Sequence, residues 1–212
     1  MSRLRISRNF GKSGSSLFFA AMSIVVMLLH SSSALAVSDR PRAGLGILFV
    51  RPAFPEQADE MKTIVLYGAP GIDRIDVVDV ARLPSLTPSV SPPSGVYAVA
   101  ATGKKGNWFR LAYDDAGREG WIQGRRFWNY FSWPDFLPGR FIALLPDLRV
   151  SLTEVHQEPL DSSPSLGRIP SGQRMHILEI RDEWARIQCE DGLRGWLRWA
   201  DGNGKLLVAV EG

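Results

Sequence analysis

Few side chains in this chain are suited to chemistry. Its 212 residues hold a single cysteine, Cys189, and three histidines, of which His30 sits in an apolar stretch near the N-terminus. His156 and His176 remain, and no His, Cys or acidic cluster at metal-ligand spacing accompanies either, so no metal site is expected. His176 falls in an alternating stretch, Met175 to Ile180, where a partly exposed strand residue is expected. Cys189 sits in another alternation, and a lone thiol does not make a Cys/His nucleophile arrangement. Acidic groups occur at Asp73, Asp76 and Asp79, at Asp114-Asp115 and at Glu190-Asp191. Glycoside hydrolysis needs two carboxylates facing each other across a cleft. The last two pairs fall instead where hairpin turns are expected, and turns favour acids for local reasons. Tyr67-Gly68-Ala69-Pro70-Gly71 lacks the lysine of a phosphate-binding loop. No catalytic residue and no cofactor are expected, and the chain reads as a non-enzyme.

The strongest functional feature is aromatic. Phe127, Trp128, Tyr130, Phe131, Trp133, Phe136 and Phe141 crowd into one short segment. Pro134 and Pro138 there resist a helix or a central strand. Exposed rings stack on sugars or on proline-rich peptides, which makes Trp128, Tyr130, Trp133 and Phe136 the candidate ligand-binding residues. The competing role is glue between two small domains that need shared burial.

The elements that must position these residues are organised by a repeat. Trp108-Phe109-Arg110-Leu111 followed by Gly120-Trp121-Ile122 matches Trp184-Ala185-Arg186-Ile187 followed by Gly195-Trp196-Leu197. Upstream, Pro93-Ser94-Gly95 matches Pro170-Ser171-Gly172. Each copy alternates polar and apolar residues over short runs, with turn residues between them. Strands are predicted at 96–101, 108–113 and 118–123, and again at 175–180, 184–189 and 194–199. Glu190-Asp191-Gly192 is a hairpin signal. Trp108, Trp121, Trp184 and Trp196 are expected to fill the repeat cores, since an indole buries much of a small domain's area. Gly120 and Gly195, directly before a Trp, are expected to let a neighbouring chain approach closely. Residues 46–50 are expected as an added edge strand and 206–210 as a last strand. Residues 85–94, rich in Pro and Ser, read as an irregular loop inside the first copy.

This order of glycine, alternating strand, W-x-R-(L/I) strand, turn and Gly-Trp resembles the bacterial Src-homology-3 (SH3) domain family, twice in tandem. The resemblance is carried by the later half of each copy. The earlier halves, 64–86 and 148–170, match the family's opening segment loosely and lack its Asn-Val-Arg core. The resemblance implies an all-β chain of two small SH3-like barrels. It also implies binding of cell-wall peptides or glycans, or service as a spacer, and no activity. The expected division is an arm at 37–62, a first domain at 63–126, an aromatic linker at 127–141 and a second domain at 142–212.

Residues 1–36 read as a secretory signal peptide. Arg3, Arg5, Arg8 and Lys12 precede an apolar run from Leu17 to Leu29. Ala34-Leu35-Ala36 then predicts cleavage before Val37. The run is shorter than the roughly 20 residues of a spanning helix, so no stable membrane span is expected after cleavage. Four of the 25 basic residues and none of the 22 acidic ones leave with it. The mature chain then carries one net negative charge, and net basicity gives no case for nucleic acid. The expectation is a periplasmic or secreted binding protein engaging a cell-wall peptide or glycan, or another exported protein. A wall hydrolase with a cryptic carboxylate pair and a purely structural interaction module are the alternatives.

Overall fold

Short alternating runs bounded by Gly, Asp and Pro become antiparallel strands in the computed structural model, which describes residues 40–51 and 63–211. The expected signal peptide, with Ala34, Ala36 and Val37, lies outside the described residues. The chain is mostly β. In the first half the strands are β1 (Gly46–Val50), β2 (Thr63–Ala69), β3 (Ile72–Asp79), β4 (Tyr97–Ala101), β5 (Gly103–Lys105), β6 (Trp108–Ala112), β7 (Glu119–Gln123) and β8 (Asn129–Ser132). A one-turn helix α1 (Trp133–Phe136) follows. The second half has β9 (Phe141–Leu144), β10 (Glu154–His156), β11 (Ser165–Arg168), β12 (Arg174–Arg181), β13 (Trp184–Cys189), β14 (Arg194–Arg198) and β15 (Val208–Val210). Among the described residues no helix is long and apolar enough to cross a membrane.

Three sheets result, ordered β4-β1-β8, β3-β2-β7-β6-β5 and β11-β10-β14-β13-β12-β9-β15. Only Thr102 separates β4 from β5, and its N–H donates to the Arg110 carbonyl at 2.7 Å. Taken as one interrupted strand, β4 and β5 do what the single β12 does. Each half then runs through the same order of pairing. The register agrees as well. Phe109, Arg110 and Leu111 face Ile122, Trp121 and Gly120, while Ala185, Arg186 and Ile187 face Leu197, Trp196 and Gly195. Gly195 lies where β14 crosses β10. A Cβ there would stand 2.6 Å from Val155 Cγ1 and 2.7 Å from the His156 carbonyl oxygen. At Gly120 the nearest atom would be Leu66 Cδ2 at 3.2 Å, so both glycines permit a close approach.

The arm and the linker are part of these sheets. Residues 46–50 form no edge strand: β1 lies between β4 and β8, because Ile47, Leu48, Phe49 and Val50 offer apolar side chains to both sides. Successive residues point to opposite faces. Leu48 and Val50 enter a core with Leu66, Val99, Phe109, Leu111, Ile122 and Trp128. Ile47 enters a second core with Ile142, Ile177, Ile187 and Leu197, and Ala98 of β4 joins it. The β1–β4 pair is therefore a wall shared by two cores.

The linker supplies β8 and α1. Pro134 does not prevent that helix, because it occupies the first turn, where no intrahelical N–H bond is lost. The Ser132 hydroxyl caps it by accepting from the Asp135 N–H at 3.3 Å. The loop 85–94 is irregular as expected, yet its Leu86 and Val90 enter the second core. Its Ser89 carbonyl accepts from the Val210 N–H at 2.7 Å.

Candidate functional site

The expected aromatic site is not a surface. Trp133 and Phe136 are 2% and 5% exposed and belong to the second core, and Trp128, at 8%, belongs to the first. Their polar handles are used inside: the Trp133 indole N–H donates to the Ala43 carbonyl at 2.9 Å, and that of Trp128 to the Arg51 carbonyl at 3.1 Å. Tyr130 is half-buried, tilted against Phe109 with ring centroids 5.4 Å apart. The rings lie between two cores, and burying them there removes more apolar area from water than exposing them would. Trp128, Trp133 and Phe136 take the glue role, while Phe131 of the same segment is exposed.

The four repeat tryptophans divide: Trp184 and Trp196 are buried, Trp108 and Trp121 are half-buried, and none of them packs within the two main hydrophobic clusters. Residues directly opposite each other in a sheet share a face. In the first half one such row runs Arg74, Tyr67, Trp121, Arg110, Gly103, and beside it runs Gln123, Trp108, Lys105. In the second half the matching rows are Ser165, His156, Trp196, Arg186, Glu179 and Arg198, Trp184, Arg181. The inward positions belong to Phe109, Leu111 and Ile122, and to Ala185, Ile187 and Leu197. The indoles thus sit on an outer face, the same side as the arginines of the W-x-R motif.

The second half closes this face. His156 meets Trp184 edge-on at 5.3 Å. A carbonyl only accepts, so His156 Nδ1, 2.9 Å from the Ser163 carbonyl oxygen, carries the proton and donates. The Arg198 guanidinium lies 4.4 Å from the centre of the Trp184 ring and makes two bonds to Asp161, at 3.0 and 2.7 Å. That pair holds the Asp161 carboxyl below its ordinary range and raises Arg198. Arg181 covers Trp196 at 5.0 Å and donates to Glu179 at 2.8 Å, with Arg186 3.7 Å from the same carboxylate. Trp184 and Trp196 are buried beneath this polar lattice.

The first half is more open, although the Arg110 guanidinium lies 5.9 Å from the centre of the Trp121 ring. Tyr67 meets Trp108 edge-on, also at 5.3 Å, but Trp108 and Trp121 are only half-buried. Gln123 stands in place of Arg198, and Gly103 in place of Glu179. A cleft of about 180 Å³ opens beside Tyr67, lined also by Val65, Ile122, Gln123, Arg125 and Trp128. Ile72, Ile75 and Val77 of the adjoining β3 are exposed. A larger hollow of about 390 Å³ lies between the β9–β10 loop and Ile169 and Pro170. It is mostly apolar, and its guanidinium, Arg168, is engaged by Glu154 at 3.0 Å.

The remaining reactive side chains serve local structure. The Asp114 carboxylate accepts the backbone N–H of Arg118 and pairs with its side chain, which lowers its pKa. Asp191 accepts the Leu193 N–H at 3.1 Å. Cys189 is buried in β13, and that burial pushes its thiol up, away from the reactive thiolate. His176 packs on Phe141 at 5.0 Å.

The closed face and the strands β10 to β14 that build it decide the comparison with known proteins. Residues 151–202 match the bacterial SH3 domain family. No curated protein matches the chain. The SH3 segment carries the sealed indoles, Trp184 and Trp196, and the open face lies outside it on the first half. Tyr67, Gln123 and Lys105 of that face were not singled out from the sequence. The readable cue was alternation: in W-x-R a solvent-facing arginine carries the tryptophan two residues before it to the same side.

Proposed function

We propose that this chain is an exported, non-enzymatic binding protein of the bacterial envelope. Both halves are SH3-like, and the outer face of the first half engages peptidoglycan or a partner protein. The SH3 match supports binding to cell-wall or protein partners, and the shared strand order supports extending the SH3 reading to the first half. The observation that carries the site is the contrast between two matched rows of side chains. Trp184 and Trp196 are covered by Arg198, Arg181, Glu179 and Asp161, whereas Trp108 and Tyr67 stay half-exposed, Tyr67 beside a cleft. Half-exposed rings next to a pocket bind ligands by burying that area. Export is supported by the basic start, the apolar run and Ala34-Leu35-Ala36. A photo-crosslinking residue placed at Gln123 in living cells tests the reading. The expected product is an adduct with wall fragments or with an envelope protein, and the same group at Arg198 gives none. Absence of any adduct at Gln123 overturns it.

A further inference from the structure

We infer that the open face takes an acidic polypeptide segment, whose carboxylates seat on Lys105 and Arg74. The inference rests on the binding role proposed for that face. The second half shows the complete arrangement. Glu179 faces Arg186 across the strands and also holds Arg181, while Asp161 holds the Arg198 that covers Trp184. Acid side chains of the chain itself neutralise the cations that lie over the rings.

The first half keeps the cations, but only Arg110 among them keeps an acid, Glu119. Lys105 faces Trp108 as Arg181 faces Trp184, and Arg110 faces Trp121 as Arg186 faces Trp196. At the position of Glu179 stands Gly103, with no side chain. The loop 157–164, which carries Asp161, is replaced by the tight turn at Pro70-Gly71. Among the described residues no carboxylate pairs with Lys105 or Arg74, and Arg110 has Glu119 at 3.1 Å. A ligand that supplies carboxylates completes on this half what Glu179 and Asp161 complete on the other.

The spacing points to a peptide. Arg74 on β3 and Lys105 on β5 stand four strand steps apart, about 19 Å at the usual interstrand distance. An extended chain covers that in about six residues. The half-exposed Tyr67 and Trp108 lie between the two cations, and the cleft beside Tyr67, with Val65 and Ile122 in its wall, has room for one side chain. The ligand is therefore a short extended segment with acids toward both ends and an aliphatic residue between them.

A fluorescent octapeptide with glutamates at both ends and a central leucine, together with its glutamine-for-glutamate isostere, tests this by anisotropy on the purified exported protein. The glutamate peptide is expected to bind about tenfold or more tightly than the isostere at low salt. Lys105→Ala should weaken it several-fold, and Arg181→Ala in the closed half should leave it unchanged. Gly103→Glu, which restores the carboxylate of the second half, should abolish binding. Lys105→Glu, an exposed change, gives the same readout should Gly103→Glu fail to fold. Equal affinity for the two peptides, or full binding by Lys105→Ala, overturns the inference. Crosslinking at Gln123 that persists undiminished in excess glutamate peptide overturns the acidic ligand alone and leaves the binding face standing. Loss of all crosslinking overturns both.

Discussion

Gln123 and Arg198 hold the same place in one pairing scheme, and they decide whether the neighbouring indole meets solvent. Arg198 reaches over Trp184 because Asp161 holds its far side. Asp161→Asn is expected to loosen that cover and raise acrylamide quenching of tryptophan fluorescence. The cost in stability is small, about 0.5 kcal/mol, because Asp161 is largely exposed and solvent screens the pair. Its pH dependence has a definite sign. The folded-state carboxyl is lowered below its ordinary 3.8, so its contribution is complete above that value. The contribution is lost as pH falls through the lowered folded pKa. Melting curves of the two proteins should differ at neutral pH and converge in acid; a gap that widens in acid would contradict this. The W-x-R motif made these indoles visible in the sequence, and their burial potential suggested the core. The period of two had the stronger claim, since Phe109 and Ala185, between Trp and Arg, are the residues that point inward.

At the scale of elements, β1 carries the most consequence per residue. Its apolar run was legible, and its place was not, because an edge strand and a central strand differ in what covers the second face. That cover comes from β9, β12 and β13, distant in sequence. The β2–β3 hairpin was harder to read. Asp73, Arg74, Asp76 and Asp79 interrupt the apolar pattern of β3, and a bulge between Leu66 and Tyr67 shifts its register. These charges suit an edge: the Asp76 carboxylate accepts the N–H of Val77 at 2.7 Å, which guards that edge against pairing with another chain. β1 offers a sharper test of placement. Ile47→Ala and Leu48→Ala each remove a fully buried side chain and should cost about 2–5 kcal/mol. They should differ in where the loss is felt. Ile47→Ala is expected to lower amide protection in β12 and β13, and Leu48→Ala in β6 and β7. Equal effects of both variants on both halves would contradict the two-faced role of β1.

Across the whole molecule, the recurrence of W-x-R and Gly-Trp was readable, but the boundaries drawn from it treated arm and linker as accessories. The structure spends both on the interior. The second core takes Ile47 from the arm, Leu86 and Val90 from the Pro-Ser loop, and Trp133, Phe136 and Leu137 from the linker. Trp133 packs on Trp199 at 5.4 Å, a contact between linker and second half that no local pattern announces. The SH3 segment alone is therefore missing part of its own core, and small domains have little stability in reserve. The expected behaviour follows from that sharing. Chemical unfolding of the whole protein should show one transition, with tryptophan fluorescence and far-ultraviolet circular dichroism coinciding. Residues 142–212 expressed alone should stay unfolded or aggregate, because deleting the first half exposes the apolar surface that Ile47, Leu86 and Trp133 now cover. Two resolved transitions in the intact protein, or a cooperatively folded isolated second half, would mean that the shared wall of β1 and β4 joins two bodies already stable by themselves.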